Sequence, residues 1–224
     1  MLYDKQSCSI HNHYILHTIL SSCNKRNKTG IYRTGRIWNF SCYFYDAYNN
    51  MIDSSSLQLE IGTGSILSYI TNQKELKYSG TCNGQKIKES TGVDEKENMI
   101  FIHPPRVGKC FSFTEIPPMP QVEIPINMTS VSNTELKVVK AEFEGLNGKT
   151  IKQTHRPMRK DTFTFADTTI KCTVIKGENT NLIDELGMYK CEFYFNEHYG
   201  FVQLNYIKPN GEQVKIVLRK TNFM

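Results

Sequence analysis

Apolar side chains recur at every second position along much of this chain, a spacing that a strand satisfies and a helix does not. Trp38, Phe40, Cys42 and Phe44 alternate with Asn39, Ser41 and Tyr43. Leu57, Leu59 and Ile61 alternate with Gln58 and Glu60, and Val139, Ala141 and Phe143 with Lys140 and Glu142. Ile170, Cys172 and Val174 alternate with Lys171 and Thr173, and Cys191, Phe193 and Phe195 with Glu192 and Tyr194. Each set puts apolar groups on one strand face and polar groups on the other. Asn-Gly pairs at Asn83-Gly84, Asn147-Gly148 and Asn210-Gly211 supply the positive φ angles of tight hairpin turns. The last predicts a C-terminal hairpin, with Val202, Leu204 and Tyr206 running in and Val214, Ile216 and Leu218 running out.

The spacing predicts an all-β chain, β-rich with little helix, of about ten strands joined mostly by hairpins into an antiparallel meander. Residues 65–72 suit either a short helix or a strand, and residues 179–186 a helical turn or a loop. At 224 residues the chain fits one large domain. Six of its eight prolines fall between Pro104 and Pro125. Proline removes ladder donors, so residues 117–125 read as a stiff crossover along the sheet edge, or else as a division into two subdomains. His155-Arg156-Pro157-Met158-Arg159-Lys160 reads as a basic loop, and Asn196-Glu197-His198-Tyr199-Gly200 as a turn between strands.

The N-terminus carries an address. Tyr14-Ile15-Leu16-His17-Thr18-Ile19-Leu20 is apolar, Ser21-Ser22-Cys23 follows, and Asn24-Lys25-Arg26-Asn27-Lys28 is polar and basic. Leu20-Ser21-Ser22-Cys23 resembles the lipobox of bacterial lipoproteins. The expected organisation is a signal-like segment over residues 1–22, a lipidated polar tether over 23–36 with the lipid on Cys23, and a single β-rich domain over 37–224. No run of about 18 apolar residues exists to form a transmembrane helix. The alternative is a cytoplasmic protein with a ragged N-terminal arm.

Few chemistries survive inspection. The net charge of +5 comes from scattered basic residues and forms no stripe of the kind nucleic-acid binders use. There is no Cys-x-x-Cys, no Cys/His cluster with zinc spacing, no glycine-rich phosphate loop and no Gly-x-Ser-x-Gly elbow. No cofactor or metal is therefore expected. Of the seven cysteines, Cys42, Cys172 and Cys191 sit on apolar strand faces, either as inert buried thiols or with Cys172 and Cys191 bridging adjacent strands. His103-Pro104-Pro105-Arg106 holds an imidazole and a guanidinium on a stiff segment, able to grip a phosphate or carboxylate. Glu115 is the carboxylate that could instead satisfy Arg106 from within.

Ile102-His103-Pro104-Pro105-Arg106, Phe113-Thr114-Glu115-Ile116-Pro117-Pro118-Met119-Pro120 and Phe195-Asn196-Glu197-His198-Tyr199-Gly200-Phe201-Val202 together resemble an uncharacterised family of secreted lipoproteins from Bacteroidota-type bacteria. The resemblance implies an open or half-closed barrel-like sheet, similar to lipoprotein-carrier folds in which a curved sheet wraps an apolar cavity. It also implies an outer-membrane, periplasm-facing address. No activity comes with it. Two functions follow as expectations. The first is a membrane-anchored envelope module binding an apolar or amphipathic ligand or an envelope protein, its cavity lined by Trp38, Phe40, Phe44, Phe193 and Phe195. The second is a hydrolase-like enzyme using His103, Arg106 and Glu115, with His155 as an additional candidate, or else a purely structural protein–protein module.

Overall fold

The computed structural model describes residues 30–64, 73–106, 108, 110–137, 148–180 and 187–223. Among the described residues twelve strands run in chain order: β1 (Ile37–Tyr45), β2 (Met51–Ile61), β3 (Lys74–Cys82), β4 (Gln85–Glu95), β5 (Met99–Ile102), β6 (Gln121–Glu123), β7 (Ser132–Lys137), β8 (Thr150–Phe165), β9 (Thr168–Asn179), β10 (Lys190–Asn196), β11 (Gly200–Ile207) and β12 (Gln213–Thr221). One 3₁₀ turn, Ser112–Glu115, lies between β5 and β6.

All twelve strands belong to one antiparallel sheet in the order β6-β5-β4-β3-β2-β1-β12-β11-β10-β9-β8-β7. Every neighbour in the sheet is a neighbour in sequence except at β1–β12, where the first strand zips to the last. The sheet curls into a barrel whose two edges, β6 and β7, face each other across an unsealed seam. The Gln121 amide of β6 reaches the Ser132 hydroxyl of β7 across it, at 3.3 Å.

The predicted alternation holds where it was clearest. β1 buries Trp38, Phe40, Cys42 and Phe44 and turns Asn39, Ser41 and Tyr43 outward. β10 buries Cys191, Phe193 and Phe195. Asn83-Gly84 joins β3 to β4, and Asn210-Gly211 lies in the turn between β11 and β12. The expected strand through Val139, Ala141 and Phe143, the turn at Asn147 and the segment 65–72 lie outside the described residues.

Three expectations are corrected. The basic stretch from His155 to Lys160 is not a loop but the middle of β8. After Ile151 the inward residues of this strand, Gln153 and His155, are polar, so the alternation carried no apolar signal into it. A register shift between Pro157 and Arg159 accommodates the proline. Beyond that bulge the β8–β9 hairpin changes face. Phe163 and Phe165, paired with Ile170 and Thr168, now cover the outside of the wall, with Phe163 6.3 Å from Tyr194 and Phe165 5.1 Å from Tyr199. The packed unit also takes in Ile31 and Tyr32, both buried, ahead of the boundary expected at residue 37.

The third correction concerns the interior. Residues 103–106, 108 and 110–120 enter the barrel at the end carrying the β1–β2 and β11–β12 turns, here termed the mouth. They bury Phe111, Phe113, Thr114 and Ile116. Phe111 packs 5.8 Å from Phe44, and Phe113 6.1 Å from Tyr206. The chain thus fills the cavity that the carrier resemblance implies. Trp38, Phe40, Phe193 and Phe195 are packed in the core, and Phe44, also buried, borders the mouth. The opposite end is closed by Tyr32, Trp38 and Phe223, with Trp38 5.3 Å and 4.9 Å from its two neighbours. The Trp38 indole N–H donates to Tyr199 O at 2.8 Å.

Candidate functional site

The segment His103-Pro104-Pro105-Arg106 is the root of the internal plug. The His103 N–H donates to Gly92 O at 3.1 Å, and Tyr78 Oη donates to His103 O at 2.8 Å. Glu89 faces inward from β4, across from Tyr78. Its carboxylate accepts from Arg106 Nε at 2.9 Å and from the Arg106 N–H at 2.8 Å. The guanidinium expected to face Glu115 or a ligand is therefore held by Glu89. The side chain of Glu115 lies outside what is described. His103 packs edge-on against Phe101 at 4.7 Å, and its buried Nδ1 has no partner among the described residues. Burial, reinforced by the Arg106 charge, lowers its pKa to about 4, so the ring is neutral at pH 7.

His155 has other surroundings. After the 3₁₀ turn, residues 116–119 run as a strap along the inner face of β8 and β9. Prolines cannot donate to a ladder, so the strap offers carbonyls. Three buried side chains meet them. Asn179 Nδ2 donates to Ile116 O at 3.0 Å and Gln153 Nε2 to Pro117 O at 3.4 Å. His155 Nε2 lies 2.8 Å from Met119 O, which assigns the proton to Nε2. Gln153 Oε1 accepts the Met119 N–H at 3.2 Å. A side chain at Gly177 would overlap Pro118 and Cys191, so glycine lets the strap approach. Burial lowers the pKa of His155 as well. His103 and His155 share no contact among the described residues; one sits at the plug root and the other clamps the strap.

The cysteines divide in two. Cys82 of β3 is disulfide-bonded to Cys110 of the plug, closing a sequence separation of 28 residues. Cys42, Cys172 and Cys191 are buried free thiols. The expected Cys172–Cys191 bridge is thereby corrected. The register opposes Cys191 to Gly177, five residues along β9 from Cys172, beyond the reach of an S–S bond. Burial pushes Cys42 and Cys172 up to about 12 and Cys191 well above its ordinary value, so these three stay thiols at pH 7. The candidate lipid acceptor Cys23 lies outside the described residues. Among the described residues no cluster of His, Cys, Asp and Glu is arranged to hold a metal ion. None of the described helices is long and apolar enough to cross a membrane.

The open feature of the mouth is a groove of about 170 Å³ lined by Phe44, Ile52, Asp53, Asn83, Cys110 and Lys208, among others. Beside it the tip of the β1–β2 hairpin stands in solvent, with Tyr48 88% exposed, Met51 61% and Ile52 64%. A second void, of about 10 Å³, lies at the seam beside His155 and holds at most a water. Sequence reasoning missed Glu89, Gln153, Asn179 and the Cys82–Cys110 pair. Each acts through a long-range partner that no local pattern announces. The hairpin tip did carry a signal, the polar run Asp53-Ser54-Ser55-Ser56 at the start of an otherwise alternating strand.

No family model matches the chain. No curated protein matches its sequence. Solved structures do share its form. A candidate lipoprotein of Parabacteroides distasonis is 12% identical, with a TM-score of 0.48 over 87% of this chain and 98% of that one. A candidate exported protein with a YmcC-like fold from Bacteroides fragilis is 12% identical, with a TM-score of 0.45 over 87% and 99%. The hypothetical lipoprotein YmcC of Escherichia coli is 13% identical, with a TM-score of 0.36 over 97% and 98%. Likenesses of this size carry no activity, ligand or partner to this chain.

Proposed function

We propose that this is an exported, lipid-anchored envelope protein whose self-filled barrel is a binding or assembly module working through its surface, at the mouth. The Cys82–Cys110 disulfide is the observation that carries the address, because such bonds form and persist in oxidising compartments outside the cytoplasm. Two features agree with it. Leu20-Ser21-Ser22-Cys23 supplies a lipid acceptor. The chain leaves the barrel at the end opposite the mouth, where Glu95 accepts from the N–H groups of Ile31 and Tyr32 and pairs with Lys74 at 2.6 Å. An anchor on Cys23 would therefore hold that end near the bilayer and present the mouth away from it. Two or more acyl chains would make such an anchor stable.

The choice of a binding role over a store for an apolar ligand rests on the plug, whose buried Phe111, Phe113, Thr114 and Ile116 occupy the interior where such a ligand would lie. The test is intact mass analysis of the full chain, produced in a Gram-negative host and extracted from membranes. The expected product lacks residues 1–22, carries acyl mass on Cys23 and has one disulfide. A Cys23→Ala variant should leave the membrane fraction. An unprocessed Met1 with all thiols reduced would overturn the proposal.

A further inference from the structure

The mouth groove is not an apolar slot. Three hairpins supply its polar wall: Tyr45 and Asp53 from β1–β2, Asn83 from the turn between β3 and β4, and Lys208, Glu212 and Gln213 from β11–β12. Phe44 and Ile52 add apolar surface between them. The corners are held by their own main chain. The Asp46 N–H donates to Asn50 O at 3.0 Å and the Lys208 N–H to Glu212 O at 2.9 Å. Asn83 takes a positive φ of 49° in its tight turn. A ligand there would meet groups that are already ordered, which lowers the entropy lost on binding.

Charge does not dominate the wall. Lys208 Nζ is 2.8 Å from Glu212 Oε2 and 4.7 Å over the Phe113 ring, so its charge is answered from within. One Asp53 oxygen accepts the Ser54 N–H at 2.7 Å. The second Asp53 oxygen, the Asn83 and Gln213 amides and the Tyr45 hydroxyl have no partner among the described residues. They mix donors with acceptors. A phosphate would find no unpaired cation, and an acyl chain would leave two amides facing hydrocarbon. The hydroxyls of a sugar, each both donor and acceptor, match this set, and the C–H faces of its ring suit Phe44 and Ile52. Size agrees. The groove's volume of about 170 Å³ lies below the roughly 300 Å³ at which drug-sized sites begin, and barrel mouths are a recurrent place for small-molecule sites.

We propose that the mouth groove binds one neutral hexose ring, hydrogen-bonded by Asn83, Gln213, Asp53 and Tyr45 and packed on Phe44 and Ile52. This rests on the binding role proposed above, names its ligand class and is independent of the anchor.

The test titrates the full chain, in a sugar-free detergent, with the methyl glycosides of glucose, galactose, mannose and N-acetylglucosamine, and follows backbone and side-chain amide signals. At least one glycoside should give saturable shifts centred on Asn83, Asp53 and Gln213. Asn83→Gly, which suits the positive φ, and Gln213→Leu should each weaken that binding about fivefold or more, the worth of one hydrogen bond, with signals away from the groove unchanged. Asp53→Asn keeps an acceptor and removes the charge, so binding should stay nearly unaltered. Cyclohexanol, tetramethylammonium and inorganic phosphate stand for an apolar, a cationic and an anionic ligand, and each should bind more weakly than the glycoside. Failure of all four glycosides to saturate, binding unaltered in either Asn83→Gly or Gln213→Leu, loss of binding in Asp53→Asn, or tighter binding of any of the three other probes would overturn the proposal. Glycoside binding without acyl mass on Cys23 would sink the anchor alone; acyl mass without glycoside binding would sink the sugar site alone.

Discussion

The barrel is closed twice, by different chemistry. Where β1 meets β12, the two terminal strands zip through main-chain pairs from Trp38↔Thr221 to Tyr45↔Gln213, over a continuous apolar face. Where β6 meets β7, three-residue β6 is too short to zip, and the side chains of Gln153, His155 and Asn179 hold the proline-rich strap by its carbonyls. The first closure is non-specific in side chain, because any residue brings a peptide group. The second depends on a few irreplaceable donors, each buried, so that losing one strands a polar group without water. A ladder spreads the risk of mutation and a clasp concentrates it.

The sharpest test of the ladder side is Trp38→Ala. It opens the Tyr32–Trp38–Phe223 closure opposite the mouth and frees Tyr199 O, at an expected cost of about 3–5 kcal/mol in denaturant unfolding. On the clasp side, replacing Cys82 and Cys110 together by serine releases the plug from β3. Loop-closure entropy for this separation predicts a loss of about 3–4 kcal/mol, read by the same titration with and without reductant. A much smaller loss would show that the strap contacts alone hold the plug.

Acid should attack the seam region before the ladder. The folded-state pKa of His103 is about 4 against an ordinary 6.5, and that of His155 is lowered in the same direction. The unfolded chain therefore binds more protons between these values. Stability is full above about pH 6.5 and declines as pH falls toward 4, by up to about 3 kcal/mol for His103. Chemical denaturation at stepped pH checks this, and His103→Asn with His155→Gln should flatten the slope. Next in size, Gln153→Leu or Asn179→Leu strands strap carbonyls and should cost about 1–3 kcal/mol, with hydrogen exchange rising first at the Met119 amide. The smallest effect is expected at Arg159→Ala, whose contacts to Glu192 at 3.3 and 3.4 Å are exposed and worth under about 1 kcal/mol.

The same contrast explains what could be read in advance. β1, β10 and the β11–β12 hairpin were legible because their inner faces are uniformly apolar and their turns have local chemistry. β8 was not, because its inner residues answer to the strap and not to a greasy core. Gln153 and His155 look like surface residues until the chain that covers them is in place. The prolines near 117 announced an irregular stiff segment, but not that it would run inside. Arg106 looked like a ligand clamp because its partner, Glu89, lies on another strand. Cys82 and Cys110 carry no spacing signature, whereas Cys42 and Cys191 could be placed on inner faces from alternation alone; Cys172 is buried too, but on the opposite face of β9, in line with Ile170 and Val174.

The strand order has one more consequence. Since β1 lies beside β12, the chain is two six-stranded arcs, β1 to β6 and β7 to β12, hinged along one hydrogen-bonded spine and joined covalently through residues 124–131 at the seam. The two ends of the described chain are also near each other, with Asn222 Oδ1 accepting the Ile37 N–H at 2.8 Å. A nick between β6 and β7 would thus leave halves able to reassociate as fragments, and joining residue 223 to residue 30 would give a circularly permuted molecule that opens at the clasp. The polypeptide's own continuity is what guards its weaker closure.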